Sequence, residues 1–132
     1  MGLEQEVDVL RRIPLFQNIE PSKLKLMAFA SERVTFAADT ALFEQGEEGD
    51  AAYIVLDGTA DVRVTADGGE AITVAQVASN DIVGEIAILC DVPRTATVVA
   101  TSELVTLKIT KELFFRMVQD FPQIGIEVMR VL

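Results

Sequence analysis

The residues best suited to chemistry in this sequence lie between positions 83 and 98. Gly84 permits a positive φ or a backbone packed close against a ligand, and an ionised Glu85 accepts hydrogen bonds from hydroxyl groups. Arg94 is the only cationic side chain among residues 64–107, and its planar fork of N–H groups matches phosphate oxygens. Together these residues favour a ligand with one phosphate and an adjacent sugar hydroxyl, such as a nucleoside monophosphate.

The segment between the acid and the arginine could complete such a pocket. Residues 85–89 could form one helical turn whose free N–H groups point at an anion, and Pro93 would hold the chain extended before Arg94. Two interpretations without a ligand stay open at this point: a salt bridge between Arg94 and Asp91, and a pairing of Arg94 with Glu85.

Composition limits the function classes. A chain of 132 residues with half of them apolar is expected to form one domain. The net charge of −10 and pI of about 4.3 repel phosphate backbones and argue against direct nucleic-acid binding. A small anion in a local pocket stays compatible, because salt screens distant charges over roughly 10 Å. One cysteine and no histidine exclude an internal disulfide and leave no zinc or iron–sulfur site, so no metal or cofactor is expected.

The sequence shows neither a membrane-spanning segment nor a secretion signal. No apolar run approaches the roughly 18–20 residues that cross a bilayer, so no direct membrane insertion is expected. The N-terminus is acidic and lacks the hydrophobic segment of a secretion signal. We therefore expect a cytoplasmic protein.

The elements that would position the pocket begin with two short helices. Residues 3–12 have apolar positions at helical spacing, and Pro14 interrupts the pattern. A buried connector follows, and Pro21 begins a second helix that runs to Ala30. The apolar residues expected inside this region are Leu15, Phe16, Ile19, Leu24, Met27 and Ala28.

After position 32 the pattern changes to short strands separated by turns. The predicted strands are 33–37, 41–45, 52–56, 60–65, 71–77, 97–100 and 104–109. Gly68 and Gly69 lie in a hairpin turn between the fourth and fifth of these strands. Several short strands without long helices between them predict an antiparallel barrel or jelly roll and exclude a parallel α/β fold.

Two more helices end the sequence. Thr110 is a plausible N-cap of a helix that runs to about Gln119, and Pro122 begins another. Their expected inward residues are Leu113, Phe114, Met117, Val118, Ile124, Val128 and Val131, with Ile126, Met129 and Leu132 broadening the last face. This face is too apolar to stand free in water, so we expect the natural polypeptide to continue beyond Leu132.

The run Gly84-Glu85-x-Ala87 followed by Pro93-Arg94-x-Ala96-x-Val98 resembles the phosphate-binding cassette of cyclic nucleotide-binding domains. The segments 13–16, 43–46 and 52–58 fit the same family, and the resemblance covers nearly the whole chain. It implies a mainly β fold: an antiparallel eight-stranded β-roll or jelly-roll barrel with N-terminal helices, a short cassette helix and C-terminal helices. The implied single domain, 1–132, divides into helices at 1–31, the β-roll at 32–109 with its cassette at 83–98, and helices at 110–132.

The resemblance also implies roles for the site residues. Arg94 would grip the cyclic phosphate and Glu85 would bind the ribose 2′-hydroxyl. Backbone amides of Ile86, Ala87 and Thr95 would complete the phosphate cradle. Val62 and Val74, expected to face each other across the hairpin, would pack the base. Val83 replaces an aromatic residue common in the family. The residues expected to bind ligand are Val62, Val74, Val83, Gly84, Glu85, Ile86, Ala87, Arg94, Thr95 and Ala96.

The resemblance implies a regulatory module rather than an enzyme, with a cyclic nucleotide as its ligand. The Thr95 hydroxyl could bond guanine, but Ala75 stands where some cGMP-selective relatives place an arginine, so cAMP is favoured and cGMP tolerated. Ligand binding would reposition the terminal helices. The C-terminal helices could in turn contact an effector domain or form a homodimer.

Three other functions are alternatives to a regulatory module that binds a cyclic nucleotide. A module of this fold that makes protein contacts without binding a nucleotide is the main alternative, although the intact pair of Glu85 and Arg94 argues against it. A cupin-type enzyme would hold its metal with histidine, which this sequence lacks. A DNA-binding regulator would need a helix-turn-helix after Leu132.

Overall fold

The computed structural model describes residues 2–131. Met1 and Leu132 lie outside the described residues. The outer limits of the predicted domain, 1 and 132, and the place of Leu132 on the last predicted helix therefore lie outside them too. Within residues 2–131, the fold consists of two antiparallel sheets and five α-helices. The helices are α1 (Leu3–Arg12), α2 (Pro21–Ala30), α3 (Glu85–Cys90), α4 (Lys111–Asp120) and α5 (Pro122–Val131), with a 3-10 turn at Pro14–Phe16. The strands are β1 (Glu32–Phe36), β2 (Ala41–Phe43), β3 (Ala51–Asp57), β4 (Ala60–Thr65), β5 (Ala71–Val77), β6 (Ile82–Val83), β7 (Thr97–Ala100) and β8 (Leu104–Thr110).

The eight strands form two four-stranded sheets, ordered β1-β8-β3-β6 and β2-β7-β4-β5. Every neighbouring pair is antiparallel. This arrangement confirms the predicted mainly β fold with an antiparallel roll. The two sheets do not close into a complete barrel, so β5 and β6 are left at sheet edges where a pocket can open.

Strand β3 is buried on both faces, which explains why its sequence is continuously apolar rather than alternating. Ala51, Tyr53 and Val55 belong to the core between the two sheets. Ala52, Ile54 and Leu56 belong to a second core, which the sheet forms with the helices. The strand therefore connects the interior of the roll directly to the helical layer.

Most of the helix residues expected to face inward are buried, whereas Leu15, Val118 and Val131 are half-buried. Thr110 caps α4 as predicted, because its hydroxyl accepts a hydrogen bond from the Leu113 amide at 3.0 Å. On α5, Ile126 and Met129 are exposed rather than part of the buried face. The inward residues that pack in the helical core are Phe16, Ile19, Leu24, Met27, Ala28, Leu113, Phe114, Met117, Ile124 and Val128. Among residues 2–131, no helix is long and apolar enough to cross a membrane.

The expectation that Val62 and Val74 face each other across the hairpin is wrong. Val62 pairs with Ala75, and the next residue of β4, Arg63, pairs with Thr73. Strand β5 thus carries Val74 as an extra residue between two register pairs, which is a β-bulge. Val74 is 59% exposed, like most of β5.

Candidate ligand-binding site

A cavity of about 230 Å³ opens where α3 and the loop before β7 meet the roll. All of the expected ligand-binding residues line it except Val74. They are Val62, Val83, Gly84, Glu85, Ile86, Ala87, Arg94, Thr95 and Ala96. Four further residues complete the lining: Phe43, Val77, Ile82 and Val98. The structure therefore brings one cation, one acid and an apolar wall together in one pocket.

Gly84 sets the close approach between the start of α3 and Arg94. Its φ is +85°, in the left-handed region that favours glycine. A Cβ atom at this position would lie 2.5 Å from Nη1 of Arg94 and 3.1 Å from the Ala51 carbonyl oxygen. Only glycine lets the chain turn from β6 into α3 while the guanidinium lies against its backbone.

Arg94 is buried, with only 3% of its side chain exposed. Its Nη2 donates to the carbonyl oxygen of Ala51 at 2.7 Å, and its Nη1 donates to that of Gly84 at 3.2 Å. Its Nε is also buried but has no hydrogen-bond partner within residues 2–131. Since a buried donor without an acceptor is costly, this N–H is suited to an acceptor that a ligand brings.

The guanidinium also lies on an aromatic face. Its central carbon is 3.9 Å from the centre of the Phe43 ring, which favours a cation. Phe43 in turn stacks on Tyr53 at 6.2 Å, and Phe36 meets Tyr53 edge-on at 5.6 Å. The orientation of Arg94 is thus connected to the core between the two sheets.

Burial lowers the pKa of the Arg94 guanidinium, and electrostatic interactions with Tyr53, Asp50 and Glu47 oppose this effect. The nearest carboxylate is that of Asp50, whose Oδ1 lies 4.0 Å from Nη2 while its side chain is 85% exposed. Arginine keeps its proton in such an environment. Arg94 therefore faces the cavity as a permanent and only partly compensated cation.

Neither of the two interpretations without a ligand holds in the structure. Asp91 pairs with Lys111 at 2.7 Å instead of with Arg94, and this lysine lowers the pKa of the Asp91 carboxyl. Glu85 forms no ion pair with Arg94 among the described residues. The arginine and the glutamate line the same cavity as separate groups.

Glu85 is the first residue of α3 and contributes a carboxylate to the cavity. Its Oε2 atom is buried and lacks a hydrogen-bond partner within the described part of the chain. Burial raises the pKa of this carboxyl, while a hydrogen bond from its own backbone amide opposes the rise. A hydroxyl group in the cavity would supply the missing donor.

The predicted helical turn is present as α3, one residue longer than expected, at Glu85–Cys90. The N–H groups of Ile86 and Ala87 belong to its first turn, where amides have no partner within a helix. Both residues line the cavity next to the guanidinium. Their amides are therefore available for the role that the resemblance implies.

The loop between β2 and β3 holds the segment around Arg94 in place. The Arg94 amide donates to the Glu47 carbonyl oxygen at 2.7 Å, and the Gly46 amide donates to the Arg94 carbonyl oxygen at 2.8 Å. Gly49 is buried, and a Cβ there would collide with the Ala87 side chain and lie 3.3 Å from Cζ of Arg94. Gly49 thus allows α3, Arg94 and this loop to pack together.

Several residues of the site carry no chemical signal in the sequence. Phe43, Val77 and Val98 are apolar residues of strands, and the sequence alone does not distinguish a pocket wall from core. Gly49 reads as an ordinary turn glycine, and its close approach to α3 depends on tertiary packing. Within residues 2–131 no group of histidine, cysteine or acidic side chains is arranged to hold a metal ion.

Comparison with known proteins gives consistent matches. The sequence profile described as "Cyclic nucleotide-binding domain" matches residues 33–121. A CRP-like cAMP-activated global transcriptional regulator from Mycobacterium tuberculosis is 26% identical over 125 residues, 95% of this chain. A cAMP-dependent protein kinase regulatory subunit from Colletotrichum orbiculare is 32% identical over 110 residues, 83% of this chain.

A solved structure shows the same fold. The N-terminal domain of a transcriptional regulator from Streptomyces coelicolor superposes with a TM-score of 0.86 at 30% identity, covering 94% of this chain and 89% of that one. The curated relatives are longer: the chain spans 56% of the Mycobacterium regulator and 27% of the Colletotrichum subunit. The likeness therefore concerns one domain of these regulators.

Proposed function

The chain belongs to the cyclic nucleotide-binding domain family, and we propose that it binds a cyclic nucleoside monophosphate as a regulatory ligand, with cAMP favoured over cGMP. The observation that carries the proposal is the buried Arg94, whose Nε lacks a partner beside a cavity that it shares with Glu85. A cation and an acid, each with one unused buried atom, match a ligand with one anionic group and one hydroxyl.

In this proposal Arg94 binds the phosphate and the amides of Ile86, Ala87 and Thr95 surround it. Glu85 accepts a hydrogen bond from the ribose 2′-hydroxyl, which supplies the donor that Oε2 lacks. A hydrogen bond to an ionised carboxylate contributes about 1.5–3 kcal/mol, which would offset part of the cost of burying Glu85. No group at the site is arranged for covalent chemistry, and we propose a binding role rather than an enzymatic one.

The base would lie against the apolar part of the cavity. Val62 and Val77 line that part, and Val77 replaces Val74 as the contribution of β5. Ala75 pairs with Val62 and offers no hydrogen-bonding side chain to guanine. The two curated relatives are described as cAMP-activated and cAMP-dependent, which supports cAMP as the preferred ligand.

Ligand binding would act on the terminal helices through α3. Its Ile88 packs in the helical core together with Leu113 and Phe114 of α4. The Lys111 amide at the start of α4 donates to the Asp50 carbonyl oxygen at 2.8 Å, directly beside the site. A ligand that binds one placement of α3 better than another would shift the population of α4 and α5 placements by that difference.

The output of such a shift would be contact with an effector domain or with a second copy through α4 and α5. The alternative function is a module that makes such contacts without a nucleotide. One observation favours it, since Arg94 already has two carbonyl partners and the Phe43 ring.

A calorimetric titration with cAMP and with cGMP tests the proposal. We expect saturable binding of cAMP at one site, with cGMP binding more weakly. Absence of saturable binding of either nucleotide below about 1 mM, a free energy of roughly −4 kcal/mol, would contradict the proposal and favour the module without ligand.

A further inference from the structure

Strand β7 begins after the point where its neighbour β4 ends, and the resulting gap lies beside the cavity. In the pairing of these antiparallel strands, Arg63 is opposite Thr97, the first residue of β7. Continued in the same register, the pairing would place Thr95 opposite Thr65, the last residue of β4. Instead, Thr95 and Ala96 leave the sheet and line the cavity. Thr65 therefore has no partner on β7.

The side chain of Gln45 takes the place of that missing strand partner. Its Oε1 accepts a hydrogen bond from the Thr65 amide at 2.8 Å, and its Nε2 donates to the Thr65 carbonyl oxygen at 3.0 Å. This is the two-bond exchange that a directly opposed residue makes in an antiparallel ladder. Both residues are exposed, so water could satisfy the same backbone groups. The pairing is therefore not required merely to avoid an unsatisfied buried group.

The backbone at Gln45 also holds the segment that leaves the sheet. The Gln45 amide donates to the Thr97 hydroxyl at 2.9 Å, and the Gly46 amide donates to the Arg94 carbonyl oxygen at 2.8 Å. These two contacts fix both ends of the segment 94–97. Gln45 thus lies at the point where the cavity-lining segment separates from β4.

The Thr65 amide can donate either to the Gln45 side chain or to the backbone of Thr95. Pairing with Thr95 would extend β7 and withdraw Thr95 from the cavity. We propose that Gln45 is a positioning residue: by occupying the backbone groups of Thr65, it keeps Thr95 and Ala96 out of the sheet and in the cavity lining. This inference rests on the proposed function, in which the Thr95 amide faces the phosphate.

Removing the amide group of Gln45 should therefore shift the population between two placements of the segment. The ligand binds well only to molecules whose Thr95 lies in the cavity, so the apparent affinity falls in proportion to their fraction. If Thr95 pairs with Thr65 in about 75–90% of the variant molecules, cAMP binds about four- to tenfold more weakly.

The variant to test is Gln45→Met, which keeps the length of the side chain and removes its amide group. The matched control is Gln76→Met, at an exposed glutamine of β5 in the same sheet. Calorimetric titration with cAMP compares both variants with the wild type. We expect a loss of about four- to tenfold in Gln45→Met, and binding within about twofold of the wild type in Gln76→Met.

Amide hydrogen exchange of the ligand-free proteins, followed by NMR, tests the mechanism without any ligand. In Gln45→Met we expect exchange of the Thr95 amide to slow by about four- to tenfold relative to the wild type, because this amide would donate to the Thr65 carbonyl oxygen. A merely structural role of Gln45 would instead speed exchange around Thr65 and leave the Thr95 amide unprotected.

The outcomes separate this inference from the proposed function. Unchanged cAMP affinity in Gln45→Met would overturn the inference, and so would a loss of affinity without slower exchange at Thr95. If Gln45→Met is too unstable to study, Gln45→Ala beside Gln76→Ala gives the same two measurements. Failure of the wild type to bind cAMP would contradict the proposed function, whereas the exchange of the ligand-free proteins would still decide whether Gln45 keeps Thr95 out of the sheet.

Discussion

Arg94 and Phe43 form a cation–π pair in the lining of the cavity, with the guanidinium carbon 3.9 Å from the ring centre. Both terminal nitrogens of Arg94 donate to backbone carbonyl oxygens, and the Phe43 ring provides a further restraint on the guanidinium. The pair couples the only cation of the cavity lining to the aromatic residues between the sheets. It follows that Phe43 should influence ligand binding through the orientation of Arg94.

Replacing Phe43→Leu should weaken cAMP binding by about 0.5–2 kcal/mol, the range of a cation–π contact between exposed and desolvated limits. Leucine keeps the site apolar but offers no ring face to the guanidinium. Phe29→Leu, at a phenylalanine that is 79% exposed on α2, provides the matched control. Equal affinity of the Phe43→Leu variant and the wild type would show that the ring does not position Arg94.

Glu85→Ala should weaken cAMP binding by about 1–2 kcal/mol, because it removes an acceptor for the 2′-hydroxyl. The loss should shrink when the ligand is 2′-deoxy-cAMP, which lacks that hydroxyl. Calorimetric titration of the wild type and the Glu85→Ala variant, each with cAMP and with 2′-deoxy-cAMP, gives the four affinities that this comparison needs. An equal loss of binding free energy with the two ligands would mean that Glu85 does not bind the ribose 2′-hydroxyl.

Glu85→Gln should stabilise the ligand-free protein at neutral pH. Burial raises the pKa of Glu85 in the folded state, so as pH rises the unfolded chain loses this proton first and the free energy of unfolding falls. The fall starts near the ordinary glutamate pKa and ends once pH exceeds the raised value. The glutamine variant has no carboxyl group to ionise at this position. It should therefore be more stable than the wild type at pH 7, and this difference should vanish in acid.

Thermal or urea unfolding across the pH range measures this difference, with the exposed Glu70→Gln as the control variant. A variant that is less stable than the wild type at neutral pH would refute the expected sign. Retained stability together with weakened cAMP binding would mark Glu85 as a group kept for the ligand.

Gly49→Ala should destabilise the fold by about 1–3 kcal/mol and weaken ligand binding, because the new methyl group would collide with Ala87 on α3. Gly69→Ala is the control, since a Cβ there meets only ordinary contacts, the nearest at 3.5 Å. Unfolding curves and cAMP titrations of both variants give the comparison. A Gly49→Ala variant that is as stable as the Gly69→Ala variant would disprove the close packing of this loop against α3.

The sequence predicted the elements well wherever a local signal exists. Proline and Thr110 mark the starts of helices, and the bounds of α1 agree with the predicted 3–12. Arg94 and Glu85 could be predicted as site residues because charged residues within an otherwise apolar segment indicate a binding site. The cytoplasmic location expected from composition stays a prediction.

What the sequence did not reveal depends on tertiary structure. The bulge at Val74 shifts β5 by one residue, and alternation along a strand does not show where an extra residue is inserted. Strand β2 ends at Phe43, two residues earlier than predicted, and the two-residue strand β6 is too short for any periodicity. The pairing of Asp91 with Lys111 joins residues distant in sequence.

The most direct test of the central claim is the cAMP affinity of the Arg94→Ala variant, measured by calorimetry beside the wild type and the exposed control Arg12→Ala. We predict saturable binding by the wild type and the control, and a loss of about 2–4 kcal/mol in Arg94→Ala, because the ligand phosphate would be left desolvated and unpaired. An Arg94→Ala variant that binds cAMP within about twofold of the wild type, roughly 0.4 kcal/mol, would show that Arg94 is not the phosphate ligand.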